Sequence, residues 1–169
     1  MRVGYLQGGH RTDIQSALWA FAQELITSGH RVAGMVERPA ALKRDSLLAD
    51  VAGSTATCIF QDLGPDAQSC SLDAAVLTQA SGLVEAAITE ATELLILSKF
   101  GKMESEGGGF RAAIAKALLM GIPVLTSVNP AFDQDWRAFT GGIATPLTPD
   151  ADALHAWWKD FGTEATARQ

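Results

Sequence analysis

A run of four apolar residues, Leu94 to Leu97, constrains the fold of this chain most. The run is too short for a helix, and it contains none of the polar residues that alternate along a half-exposed strand. Such runs are typical of strands buried on both faces of a parallel sheet. A charged segment follows, and Gly107 to Gly109 then lead into a second apolar-periodic stretch. The order of strand, glycine loop and helix predicts a ligand loop at the carboxyl end of a parallel strand.

The loop after this strand is rich in charge, although the chain as a whole uses charge sparingly. Its charged residues are Lys99, Lys102, Glu104, Glu106 and Arg111. The loop is therefore the best candidate for a binding site. The sequence does not specify the ligand.

The first part of the chain predicts another strand, turn and helix. Residues 2–7 form the predicted strand, and Gly8 and Gly9 permit a tight turn. Apolar residues then recur from Ile14 on one face of an amphipathic helix, which Thr12 or Asp13 can cap. With a second strand at 31–36, this segment is a right-handed βαβ unit.

The rest of the chain continues to alternate strands and helices. The pattern is weak from 37 to 66, where we predict only a strand at 55–61. Beyond it we predict a helix from about 71 to 90, a strand at 122–128, an edge strand at 143–147 and a terminal helix at 150–158. This alternation predicts a three-layer α/β sandwich with a mostly parallel sheet.

Length and composition set the remaining limits. With 169 residues, the chain is expected to form one domain over 1–162, with a frayed tail at 163–169. A net charge of −6 and the absence of a Lys/Arg-rich stripe argue against nucleic-acid binding. No apolar run is long enough to cross a bilayer and no secretion signal is present, so we expect a cytoplasmic protein that does not bind membranes.

The two cysteines, Cys58 and Cys70, are expected to be free thiols in a cytoplasmic protein. Cys70 has no motif partner that would make it a nucleophile. His, Cys and carboxylate residues do not show the spacing of zinc ligands, so we predict no metal site.

Two interpretations stay open for each glycine-containing loop. The turn from Gly8 to Arg11 is either an anion nest at a helix N-terminus, with Arg11 supplying charge, or a tight turn without a ligand. Lys99 and Lys102 either neutralise an anion directly or pair with nearby glutamates. We favour anion binding for the lysines, because ligands bind at the carboxyl ends of parallel strands.

The sequence resembles two families. Gly101-Lys102-Met103-Glu104, followed by Phe110-Arg111, is similar to the Walker B region of a small P-loop nucleoside-triphosphatase family of thermophiles. Phe100 to Glu104 and the segment Cys70-Ser71-Leu72-Asp73 resemble a bacterial family of uncharacterised NTPase-like proteins. We identify the chain as a member of the second family. The resemblance implies a P-loop-NTPase-like fold and a link to molybdenum-related functions.

Both P-loop motifs are degenerate in comparison with the resembled families. A working P-loop needs a Lys that neutralises phosphate and a Ser or Thr that holds Mg²⁺. Ile14 and Gln15 occupy those positions here, and Ser98 and Lys99 replace the Asp and Glu of the second motif. We therefore expect Mg²⁺ not to be strongly bound, because Lys99 would repel it.

The expected function is binding of a small anion, either a nucleotide or an oxyanion such as phosphate or molybdate, with little or no hydrolysis. The expected ligand-binding residues are Gly8, Gly9, His10, Arg11, Thr12, Ser98, Lys99, Lys102 and Arg111. One alternative is a slow nucleoside triphosphatase in which Glu104 activates water, and another is a regulatory or scaffold protein without a ligand. A homo-oligomer is compatible with the sequence. For the two loops to share a ligand, we expect the strands at 2–7 and 93–98 to be neighbours.

Overall fold

The computed structural model describes residues 2–38, 47–53, 56–58 and 74–166. The strands are β1 Val3–Leu6, β2 Val32–Arg38, β3 Leu47–Asp50, β4 Ala56–Cys58, β5 Leu94–Leu97, β6 Val124–Ser127 and β7 Thr145–Leu147. The helices are α1 Arg11–Thr27, α2 Ala74–Ala87, α3 Lys102–Ser105, α4 Arg111–Leu119, α5 Asp133–Thr140 and α6 Ala151–Thr166. A short 3₁₀ turn, Pro130–Phe132, precedes α5.

All seven strands form one sheet, in the order β4-β3-β2-β5-β6-β1-β7. Strands β2, β5, β6, β1 and β7 are parallel to one another. Strands β3 and β4 add an antiparallel hairpin at the β2 edge. Helices cover both faces of the sheet. The predicted fold class, a mostly parallel α/β sandwich of the P-loop-NTPase-like kind, is confirmed.

Two apolar clusters hold the layers together. On one face, α1 and α6 pack on the sheet through side chains such as Leu18 and Trp157. On the other face, α2, α4 and α5 contribute residues such as Val84, Ile114 and Trp136. The central strand β5 supplies alternate residues to the two clusters, and its four residues are all fully buried. The buried parallel strand predicted from the apolar run is therefore confirmed.

The prediction that β1 and β5 are neighbours is wrong. Strand β6 lies between them and pairs with both, Leu125 being opposite Gly4 of β1 and Ile96 of β5. All four residues of β6 are buried, so this strand needs a partner along each edge to satisfy its backbone groups. Because β1, β6 and β5 are parallel, the loops that follow them still lie at the same edge of the sheet.

Other segments differ from the sequence-based prediction in extent. Strand β3 was not predicted, and it pairs with the end of β2. Helix α6 extends to Thr166 and so includes part of the segment that we expected to fray. Cys70 lies outside the described residues. In the described segments, no helix combines the length and hydropathy needed to cross a bilayer.

Candidate functional site

The carboxyl end of β1 leads through a glycine turn into α1. Gly8 and Gly9 have φ angles of 80° and 86°, which a side chain would strain. His10 is the N-cap residue and its carbonyl accepts hydrogen bonds from the N–H groups of Asp13 and Ile14. Thr12 and Asp13, predicted as caps, lie instead inside the first turn.

The N-terminus of α1 has the features of an anion-binding turn. Across the described segments, no backbone carbonyl accepts a hydrogen bond from the N–H groups of residues 8–12, which lie at the surface. Helix α1 has 17 residues, so its dipole adds partial positive charge at this end. Asp13 in the first turn acts in the opposite direction, because its carboxylate repels an anion.

Gln15 connects this turn to the strand ends beside it. Its side chain is only 2% exposed, and its amide nitrogen donates to the carbonyl of Ser98 over 2.8 Å. Its amide oxygen accepts the N–H of Glu37 over 3.1 Å. The Ser127 hydroxyl also donates to the Ser98 carbonyl, over 2.6 Å. These contacts fix the start of α1 against the carboxyl ends of β2, β5 and β6.

Arg11 forms an ion pair with Glu37 at the end of β2. Its Nε donates to Glu37 Oε2 over 3.1 Å, and its Nη2 contacts Glu37 Oε1. The Glu37 side chain is 1% exposed, whereas that of Arg11 is 39% exposed. Partial burial lowers the pKa of Arg11, which is still ionised at neutral pH. Arg11 therefore neutralises a buried carboxylate and keeps part of its guanidinium at the surface.

Ser98 and Lys99 directly follow β5, and the Ser98 carbonyl accepts the hydrogen bond from Gln15 of α1. The Ser98 N–H donates to the carbonyl of Met35 in β2. The Phe100 N–H donates to the carbonyl of Ser127 in β6. Ser98 is buried, and Lys99 is partly buried. The backbone on both sides of Lys99 is thus anchored to neighbouring strands, so this lysine has a defined position at the edge.

Glu104 closes the glycine loop from inside. Its side chain is 3% exposed, and its two carboxylate oxygens each accept a backbone N–H, from Gly101 and from Phe110, both over 3.0 Å. Gly109 has a φ of 54°, and a Cβ on it would lie 2.0 Å from Glu104 Oε1. The carboxylate therefore holds the two ends of the loop together, and Gly109 leaves the space it needs.

Lys102 and Arg111 lie on the far side of this loop. Arg111 donates to the Glu104 carbonyl over 3.0 Å, and its guanidinium stacks over Phe139 at 4.3 Å. Lys102 is 74% exposed and lies 3.8 Å from Glu106. In the part of the chain that the structure describes, no contact joins either residue to the turn at 8–12. The structure thus brings Arg11 and Ser98 together through Gln15 and Glu37, and places Lys102 and Arg111 apart from them.

Gln15, Glu37 and Ser127 were not predicted as site residues. Gln15 had a detectable signal, because it continues the buried face of α1 that includes Leu18 and Ala22. A polar residue on such a face needs a buried partner. Glu37 and Ser127 had no local signal, since only the sheet order brings them to this edge.

The polar groups at this edge are mainly hydrogen-bond donors. The turn offers backbone N–H groups and one partly exposed guanidinium, which are donors for an oxyanion. Within the described residues, no group of three His, Cys, Asp or Glu side chains is placed to hold a metal ion. The two buried carboxylates, Glu37 and Glu104, are engaged by Arg11 and by backbone N–H groups.

Comparisons with known proteins found one family and one curated relative. A sequence profile described as "Protein of unknown function (DUF2478)" matches residues 3–157. The molybdenum import ATP-binding protein ModC 2 of Bradyrhizobium diazoefficiens is 38% identical over 163 residues. That match covers 94% of this chain but only 18% of the relative, so the chain spans less than a fifth of the relative's length. No solved structure matches the chain.

Proposed function

We infer that this chain, which belongs to the family described as protein of unknown function (DUF2478), binds a small anion at the carboxyl edge of its sheet, with little or no hydrolysis. The observation that carries this proposal is the turn at 8–12, where N–H groups at the start of a long helix meet a partly exposed guanidinium. Backbone donors and a helix dipole together favour negative charge.

The class of ligand is inferred from the N–H donors of the turn at 8–12 and from the name of the relative. The relative's name refers to ATP and to molybdenum import. A nucleotide phosphate and molybdate are both tetrahedral oxyanions that a ring of N–H donors can bind. We propose a nucleotide or a molybdate-like oxyanion, and the experiments below distinguish them.

Hydrolysis is disfavoured by the groups that the site lacks and by the position of Glu104. Ile14 and Gln15 stand where a P-loop has its Lys and its Ser or Thr, and Lys99 stands where the second motif has a glutamate. Glu104 is buried as the brace of the glycine loop, so activating a water would require it to leave two backbone N–H groups. We propose instead that Lys99 takes the place of a metal by contacting the anion directly.

Lys99→Met is expected to weaken anion binding by about 1.5–3 kcal/mol, the range for a hydrogen bond to a charged group. This corresponds to a roughly 10- to 150-fold higher Kd. The measurement is calorimetric titration of phosphate, molybdate and ATP into both proteins without divalent metal. The fold should persist, because Lys99 lies at the sheet edge and its neighbours are held by backbone hydrogen bonds.

Lys159→Met is the matched control, since it removes the same charge from α6 at the opposite edge of the sheet. Its anion affinity should equal that of the wild type. Equal affinity in the wild type and Lys99→Met would remove Lys99 from the site. If the wild type binds none of the three anions, the scaffold alternative is favoured.

ATP hydrolysis with Mg²⁺ is expected to be indistinguishable from a protein-free blank. The groups that bind the metal, neutralise the γ-phosphate and activate water in P-loop enzymes are all replaced. Phosphate release by the wild type and by Glu104→Gln would be compared at a temperature at which circular dichroism shows both to be folded. Mg²⁺-dependent turnover that Glu104→Gln abolishes would establish the slow-enzyme alternative in place of our proposal.

A further inference from the structure

A cavity of about 530 Å³ lies at the amino edge of the sheet, opposite the proposed anion site. It is formed by the turn before β2, the segment before β5, the turn before β6 and the middle of α6. Its principal side chains are His30, Glu90, Glu93, Met120, Ile122 and Trp158. The volume is within the range of small-molecule pockets, which is about 300–1,000 Å³.

One side of the cavity is apolar and aromatic. The Trp158 ring meets His30 edge-to-face, with centroids 5.4 Å apart, and packs against Trp157 at 6.5 Å. These contacts fix the orientation of the indole. Ile122 is buried, whereas Met120 is 39% exposed. A flat or aliphatic group that entered the cavity would cover Met120 and remove apolar surface from water.

The polar side of the cavity carries two carboxylates, Glu90 and Glu93, and His30 Nδ1 lies 3.4 Å from Glu93 Oε1. The pKa of Glu93 is lowered, first by the hydrogen bond from the Arg31 N–H and also by His30, so this carboxylate is ionised at neutral pH. Glu90 is a second, exposed carboxylate on the same segment. Lys159 lies among the lining residues and has an interaction partner of its own in the protein.

The helix ends add to this negative potential. Helices α1 and α4 both end at this edge, at the turns containing Gly29 and Gly121. Each helix C-terminus is equivalent to roughly half a negative charge. Their last carbonyls also accept turn hydrogen bonds from residues such as His30 and Ile122, so the ends are fixed in position. Together with Glu90 and Glu93, these helix ends favour a cation over an anion at this edge.

We propose that this cavity is a second binding site, which takes a small organic ammonium ion with an apolar body. The ammonium group binds between Glu90 and Glu93, and the body lies against Trp158, Met120 and Ile122. An ammonium near an indole also gains from the negative face of the ring. This site needs no residue of the proposed anion site, so each can fail without the other.

The experiment uses 2-phenylethylammonium and 3-phenylpropionate, which share an apolar ring but have opposite charges. Each is titrated into ¹⁵N-labelled wild-type protein and followed by amide and indole chemical shifts. The amine is expected to shift the signals of residues 30, 90–93, 120–123 and the Trp158 indole, and the carboxylate is expected to shift none of them.

Glu90→Gln and Glu93→Gln test the polar contact, since glutamine can still accept the Arg31 N–H. Each is expected to lower amine affinity about threefold, and the double variant about tenfold, as for half-exposed ion pairs. Glu106→Gln is the matched control, because it removes an exposed carboxylate from the opposite edge. It should leave amine affinity unchanged.

Three outcomes would overturn the proposal. The first is the absence of amine-induced shifts at these residues, and the second is equal binding of the amine and the carboxylate. The third is a monomer–dimer equilibrium in sedimentation that Met120→Asp abolishes, which would assign the cavity to a second copy of this chain.

Discussion

Glu104→Ala is expected to lower the free energy of unfolding by about 3–5 kcal/mol. The substitution leaves the buried N–H groups of Gly101 and Phe110 without an acceptor, and each unsatisfied group costs about 1–3 kcal/mol. It also removes a side chain that fills space between the two ends of the glycine loop. Urea unfolding, followed by tryptophan fluorescence and by far-ultraviolet circular dichroism, measures the change.

Two further variants make this result specific. Glu104→Gln keeps one amide oxygen as an acceptor but turns an NH₂ group toward the other N–H, so an intermediate loss of about 1–3 kcal/mol is expected. Glu106→Ala removes an exposed carboxylate two residues away and should change stability by less than about 0.5 kcal/mol. If all three variants were as stable as the wild type, Glu104 would not brace the loop and its carboxylate would again be available for catalysis.

Glu104 illustrates where sequence reasoning reached its limit. The sequence indicated a charged glycine loop between a buried strand and a helix, and the structure adds to it a one-turn helix that was not predicted, α3 Lys102–Ser105. It assigned Glu104 a chemical role, the activation of water, only under the slow-enzyme alternative. The structure shows this side chain turned inward, toward N–H groups at both ends of the loop. The direction depends on the path of the backbone, which no local pattern encodes.

The order of the strands shows the same limit. The sequence indicated strands at β1, β5 and β6, but the sheet order is decided by which strand edges must be covered. Placing β6 between β1 and β5 brings Ser127 beside the Ser98 carbonyl, and placing β2 next to β5 brings Glu37 beside Gln15. The connection between Arg11 and Ser98 is therefore a product of tertiary structure.

The two proposed sites follow from one property of a parallel α/β fold. Helices that cross between parallel strands begin at the carboxyl edge of the sheet and end at the amino edge. Their positive ends favour an anion at the turn of residues 8–12, and their negative ends favour a cation beside Glu93. Side chains then decide whether each edge binds a ligand, through Arg11 and Lys99 at one edge and Glu90 and Trp158 at the other.

Gly109→Ala is expected to destabilise the protein by about 3–5 kcal/mol, although it adds a single methyl group. The left-handed backbone costs about 1–2 kcal/mol for a residue with a Cβ. The Cβ would also lie 2.0 Å from Glu104 Oε1, so the carboxylate must move away from at least one of its N–H partners. Gly107→Ala, at another positive-φ glycine with no atom within 4 Å of its Cβ, should cost only the backbone term.

A double-mutant cycle separates these two contributions. In Glu104→Ala there is no carboxylate for the new methyl group to meet, so adding Gly109→Ala should cost only about 1–2 kcal/mol more. The double variant is then more stable than the sum of the single losses predicts, with a coupling energy of about 2–3 kcal/mol. Additive losses would mean that the methyl group and the carboxylate do not compete for one space. The strain of Gly109→Ala would then be purely a backbone effect, and the loop would not depend on the contact between Gly109 and Glu104.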